Sequence, residues 1–202
     1  MSLLVLAAVE NSGPAYMLNA AKAELALLDD DAAKVPLFKI AQARLALFEG
    51  DTDSALEEIK PVLELPNVPF DAYVVHGQIL LAEQKVAHAR RTLRKALHLA
   101  PDNPRVLCLL AHSYLIPGPL YESEYACQLA TAAAQNSSWL SPWAMHILAE
   151  AYYHCGDNMS ALILAGKAKE VGSQRLGNYR DAVSLDMLIE SLSSVENVSK
   201  QE

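Results

Sequence analysis

Residues 70–103 read FDAYVVHGQILLAEQKVAHARRTLRKALHLAPDN, and two helical faces can be read from them. Tyr73, His76, Gly77 and Leu80 fall at i, i+3, i+4 and i+7 on a first helix, and Ala89, Leu93 and Ala96 at helical spacing on a second. Gly77, Ala89 and Ala96 are small enough for two antiparallel helices to approach closely, while Tyr73, Leu80 and Leu93 fill the space between them and the next helix. Pro101 cannot continue the second helix and turns the chain.

Moved along the chain by about 34 residues, this pattern recurs. One unit downstream, Leu107, Leu110, Ala111 and Tyr114 mark a first helix, and Ala126, Leu129 or Ala130, and Ala133 a second. Between them lies Ile116-Pro-Gly-Pro-Leu120, about three residues longer than the usual turn of such a repeat, which is expected to project as a rigid loop. The next unit has Met145, Leu148, Ala149 and Tyr152, then Gly156-Asp157-Asn158 as a turn, then Ala161, Ala165 and Ala168. Upstream, Gly50-Asp51-Thr52-Asp53-Ser54-Ala55-Leu56 and Ile59 keep the turn and second helix, but the first helix offers Lys39, Gln42, Ala43 and Ala46 where larger apolar residues are expected.

These positions resemble the tetratricopeptide (TPR) repeat, with His76 standing where that family usually has Leu. The resemblance covers about residues 36–172 and implies an all-α chain, a right-handed superhelical solenoid of antiparallel helix pairs with one concave and one convex wall. One domain over 1–202 is expected, with repeats at 36–69, 70–103, 104–141 and 142–175. A degenerate or truncated helix pair precedes them in 1–35, including an amphipathic helix from Pro14 to Asp29 with Leu18, Ala21, Leu25 and Leu28 at helical spacing. A capping helix closes them over 178–195, its apolar side formed by Tyr179, Ala182, Leu185, Leu188, Ile189 and Leu192, and solenoid ends call for a polar outer face there.

Composition agrees with a helical, water-exposed chain. Its 202 residues are 52% hydrophobic and 20% charged, with eight glycines and a mean hydropathy of +0.11. The net charge of −8 gives no general attraction to phosphate backbones. Cys108, Cys127 and Cys155 match neither a disulfide scaffold nor a zinc site, and they read as buried thiols in a reducing compartment. No secretory signal and no membrane-spanning segment is evident, which favours the cytoplasm. Three Asn-x-Ser tripeptides, at Asn136, Asn158 and Asn197, carry no meaning without a secretory signal.

The resemblance implies that the first helix of each repeat lines the concave groove. Carried over residue by residue, that register places Arg44, Phe48, Val74, Gln78, Leu81, Arg105, Cys108, His112, Leu115, Trp143, His146, Glu150, Tyr153 and His154 in it. The family's two-carboxylate clamp for chaperone tails corresponds here to Ile40, Arg44, Val75, Arg105 and Leu109, of which only Arg105 fits. The expected partner is therefore another protein, offering an extended or helical segment with apolar anchors. Trp143, Tyr153, Leu115 and Leu81 would be the anchors, and Arg44, Gln78, His112, His146 and Glu150 the polar selectors, with Arg105 holding a carboxylate or a carbonyl. A rival reading is self-association or domain positioning, with a homo-oligomer formed through Leu3, Leu4, Val5 and Leu6.

Other chemistries find little support. His146, Glu150 and His154 stack at i, i+4 and i+8, but the ends of that row lie about 12 Å apart by helix rise, too far for two ligands of one metal. They read as a hydrogen-bonding lining. No GxxxxGK[ST], GxGxxG, GxSxG or HExxH motif occurs, so neither an enzyme nor a cofactor is indicated. Arg90, Arg91, Arg94 and Lys95, with Lys85 and His88 nearby, form one basic run. It reads as a solvated face or a docking patch for an acidic protein surface, and the lack of interleaved aromatics argues against nucleic acid.

Overall fold

The structure is a computed structural model that describes residues 15–27, 35–176, 179 and 181–199, with side chains for 19, 20, 22–27, 35–176, 179 and 181–193. The described residues form ten helices and no strand: α1 (Ala15–Ala26), α2 (Pro36–Phe48), α3 (Thr52–Leu63), α4 (Phe70–Ala82), α5 (Val86–Leu99), α6 (Pro104–Leu115), α7 (Ser123–Asn136), α8 (Pro142–His154), α9 (Asn158–Leu176) and α10 (Ala182–Ser199). Two compact units result, Met1–Pro101 and Asp102–Glu202. In the first, α2 pairs with α3 and α4 with α5, α3 and α2 both pack on α4, and α1 rests on α2. In the second, α6 pairs with α7 and α8 with α9, α6 and α7 pack on α8, and α10 covers α9. Four helix pairs result: α2–α3, α4–α5, α6–α7 and α8–α9.

The local chemistry of the turns explains where helices begin and end. Gly50 and Gly156 adopt φ of +82° and +81°, a left-handed conformation that glycine enters without steric cost. The aspartate after each glycine then caps the next helix: Asp51 accepts from the Ser54 amide at 3.0 Å and Asp157 from the Ser160 amide at 3.1 Å. The α4–α5 turn keeps the same backbone bonds with poorer residues. Gln84 takes φ of +60° where the other turns have glycine, and Lys85 offers no cap. Elsewhere Asn103 caps α6 and Ser141 caps α8, each followed by a proline in the first turn, where its missing N–H costs nothing.

The core follows the small-residue pattern. Ile40, Ala43, Ala55, Ile59, Val62, Ala72, Val75 and Ile79 form one cluster in the first unit. Burying an Ile or Leu of this kind stabilises by about 1.5–3 kcal/mol. Lys39, at a position where a larger apolar residue is expected, sends its ammonium to Glu58 at 2.6 Å. At the α4–α5 crossing Gly77 faces Leu93, which is fully buried, and a methyl at residue 77 would lie 2.5 Å from Leu93 Cδ2. In the second unit Met145, Ala149, Ala165, Ala168, Tyr179 and Leu185 form the cluster that α10 closes.

Toward the C-terminal end one feature differs from expectation. The outer side of α10 is not uniformly polar, since Val183 and Met187, one turn apart, are both 65% exposed. The second helix of the last repeat runs past Gly172 to Leu176, and Gly172 leaves room for the ring of Tyr179, whose Cγ lies 2.8 Å from where a Cβ would stand. Leu25 of α1 is buried as its spacing suggests, whereas Leu3–Leu6 and Leu28 lie outside the described residues.

Two outcomes test this packing. Gly77→Ala is expected to destabilise the chain by about 1–3 kcal/mol in urea unfolding, because Leu93 has nowhere to go. Gly166→Ala, in an exposed helical position with no atom within 4 Å of the new methyl, should instead stabilise by about 0.5–1 kcal/mol; the same sign for both would refute close approach as the reason for Gly77. Burial, with help from the Lys95 charge and against that of Glu83, holds His76 below the ordinary histidine range. The unfolded chain therefore takes up a proton that the folded chain resists, and stability falls as pH drops through about 6.5. His76→Leu should be more stable than the parent, by a margin that grows between about pH 8 and about pH 5; a margin independent of pH would count against this account.

Candidate functional site

The second unit gathers the richest set of the expected groove residues. On α8, Trp143, His146, Glu150, Tyr153 and His154 share one stripe by helical angle, and on the adjacent α6, Arg105, Cys108, His112 and Leu115 repeat at i, i+3, i+7 and i+10. The Ser141 cap and Pro142 fix the start of α8 and thereby the phase of its stripe.

His146 is buried and held from both sides. Its Nδ1 lies 3.5 Å from the Tyr179 hydroxyl and its Nε2 3.4 Å from Glu150 Oε1. Burial, reinforced by the negative charge of Asp181, pushes the Tyr179 phenol far above its usual range, so it stays protonated. Burial would also raise the Glu150 carboxyl. The contact with His146 and the attraction of His146, His112 and His154 outweigh that burial, and Glu150 lies below its ordinary value. A partly buried carboxylate is thus kept ionised at neutral pH.

Aromatic edges flank His154, one helical turn along from this carboxylate. His154 is flanked edge-to-face by Tyr153, with centroids 5.6 Å apart, and by Tyr121 at 5.7 Å. Tyr121 comes from the longer connection between α6 and α7. That connection does not simply stand clear of the fold: it returns to α6 through the Glu122 amide, which donates to the Tyr114 carbonyl at 2.9 Å, and lays Tyr121 beside His154. Tyr125, 4.8 Å from Tyr114, extends the exposed aromatic surface.

The remaining expected residues are placed differently. Leu81 and Leu115 are buried, as are Val74 and Cys108, and their surfaces are committed to packing. Arg44 is also buried and ion-paired with Asp71 of α4. Gln78, Arg105, Trp143 and Phe48 are half-buried. Ile40, Val75 and Leu109, at clamp-equivalent positions, lie in the core. The structure therefore brings together His112, His146, Glu150, Tyr153 and His154. It adds Tyr121, Tyr125 and Tyr179, which the repeat register does not reach.

Of the three thiols only Cys108 is fully buried. Cys155 is exposed, and its sulfur lies 3.4 Å from that of half-buried Cys127. Burial and the neighbouring thiol push Cys127 up to about 12, which keeps it protonated. Among the described residues no group of three His, Cys, Asp or Glu side chains could hold a metal ion, and no helix is long and apolar enough to cross a membrane.

No family model matches the chain, and no curated protein is significantly similar to it in sequence. Solved structures are similar in fold. A thermophilic TPR protein of Thermus thermophilus superposes with a TM-score of 0.71 at 19% identity, over 88% of this chain and 91% of that one. MamA of Desulfovibrio magneticus RS-1, from residue 41 to its end, gives 0.55 at 14% identity, over 81% and 96% of the two chains. MamA of strain AMB-1 gives 0.53 at 16%, over 78% and 98%. With its four helix pairs, two of them joined by glycine-aspartate turns, the chain has the TPR fold.

Proposed function

We propose that this chain is a non-enzymatic protein-interaction scaffold and that the α6–α8 face of its second unit receives a segment of another protein. The observation that carries the reading is the Glu150 carboxylate beside His146 on one stripe of α8, with the exposed rings of Tyr121 and Tyr153 packed against His154 one turn further along. Aromatic rings offer contact area at low entropic cost, and a carboxylate held in place selects a donor in the partner. The fitting segment carries an apolar side chain for the tyrosines and a lysine, arginine or amide donor for Glu150. Trp143 extends the face toward the start of α8, and His112 and His154 accept or donate hydrogen bonds along the segment. Leu115 acts in this reading as a support, because its own surface is already covered, while Leu81 and Arg44 belong to the packing of the first unit. The TPR fold of solved proteins supports a scaffold in general terms, and the face itself supports this mode.

A display library of short peptides selected on the purified chain tests it. The expected enrichment is an apolar residue near a basic one. Tyr153→Ala and Tyr121→Ala should each weaken a selected peptide by about 1–3 kcal/mol with unchanged helix content, and Glu150→Gln should erase the preference for the basic residue. Selection of peptides indifferent to all three substitutions would overturn the reading, and loss of helicity in Tyr153→Ala would make that residue part of the core. A mass that rises with concentration and falls on Tyr153→Ala would point to a second copy of this chain as the occupant.

A further inference from the structure

The first unit carries a second recess of different character. It lies on the outer side of α5, where Arg91, Arg94 and His98 fall on one stripe with Lys95 at its flank, opposite the buried Ala89, Leu93 and Ala96. The connection between α3 and α4 supplies a wall through Pro66 and Val68, and Tyr73 of α4 lies beneath, its ring 5.6 Å from the Lys95 ammonium. Leu99, 55% exposed, completes an apolar edge. The recess has a volume of about 850 Å³, and none of its lining residues is an aspartate or glutamate.

That composition is unusual for this chain. Acids outnumber bases by 24 to 16 over the whole sequence, yet the recess collects three full positive charges and a histidine without one acid among them. An anion entering it finds no carboxylate in the lining, and charge-assisted hydrogen bonds to arginine are the strong ones. A bare small anion would use only a fraction of the volume and leave Pro66, Val68 and Leu99 without a partner. A long polyanion would meet the acidic remainder of a chain whose net charge is −8, and the ring of Tyr73 already lies under Lys95. A short segment places its few charges within one screening length, about 10 Å at ordinary salt, of the cations.

We propose that this recess binds a short acidic segment of a partner protein, with carboxylates on Arg91, Arg94 and Lys95 and an apolar residue between them against Pro66, Val68 and Leu99. The site is independent of the α6–α8 face and calls for a partner of opposite charge preference. A scaffold with both would join two proteins, or two segments of one.

The test uses the whole chain and a blocked, dye-labelled peptide Asp-Glu-Leu-Asp-Glu, followed by fluorescence anisotropy. The peptide is expected to bind, with affinity falling as salt rises, and its Asn/Gln counterpart to bind at least about tenfold more weakly. Arg91→Glu and Arg91→Gln/Lys95→Gln should each lower affinity by about tenfold or more at unchanged helix content. Lys60→Glu, an equal change of charge outside the recess, should leave it unchanged, as should Tyr153→Ala on the other unit. The proposal is overturned if the peptide does not bind, if the amide peptide binds as well, or if Lys60→Glu weakens binding as much as Arg91→Glu. Displacement of the peptide by an equal concentration of inorganic phosphate would make this a small-anion site, and displacement by an oligonucleotide at lower concentration a nucleic-acid site; either result also overturns it.

Discussion

Leu93 occupies its place in the first unit because residue 77 has no side chain, and the geometry of the α4–α5 pair follows from that contact. A glycine at a helix crossing lets the backbones approach until a leucine from one fills the notch in the other, and the notch is too small for even a methyl group. The same device appears at Gly172, where the ring of Tyr179 replaces the leucine. Within a helix pair the two helices bury one side against each other, so the faces that the first and the second helix leave open are different ones. The α6–α8 face and the α5 recess both depend on that separation.

The helix pairs were legible in the sequence because their signals are local. Gly-Asp turns, proline at helix starts and alanine at i, i+4 and i+7 act within a few residues of themselves, and the structure places helices where those signals fall. Even the imperfect α4–α5 turn is found, since the hydrophobic spacing of Leu80, Leu93 and Ala96 survives the replacement of glycine by Gln84. Side-chain exposure was less legible. The repeat register says toward which wall a residue points but not how much of it the neighbouring pair covers, so Leu81, Leu115 and Arg44 read as groove contacts although packing and the Asp71 ion pair have taken them.

Longer-range placement was harder still. Tyr121 follows a Pro-Gly-Pro connection with no helical period, and only its hydrogen-bonded return to α6 shows that it meets His154. Tyr179 reads as one apolar residue of a terminal helix, whereas in the structure it precedes α10 and reaches across to His146. The basic run on α5 is plain in the sequence, but that it borders a recess rather than a flat face depends on the connection between α3 and α4. Net charge, by contrast, is fully visible in composition and governs how each cluster of opposite sign behaves.

Tyr179 also joins two parts of the molecule that repeat logic would treat as separable. Its ring closes the notch at Gly172 and belongs to the cluster that Leu185 of α10 completes, while its hydroxyl steadies the histidine that holds Glu150. A gene fragment ended after Leu176 would retain all four helix pairs and every residue of the α6–α8 stripe, yet it would remove the Tyr179 ring from its place against Gly172 and the hydroxyl beside His146. The packing of the second unit therefore reaches beyond the last repeat, to the ring that fills the notch at Gly172.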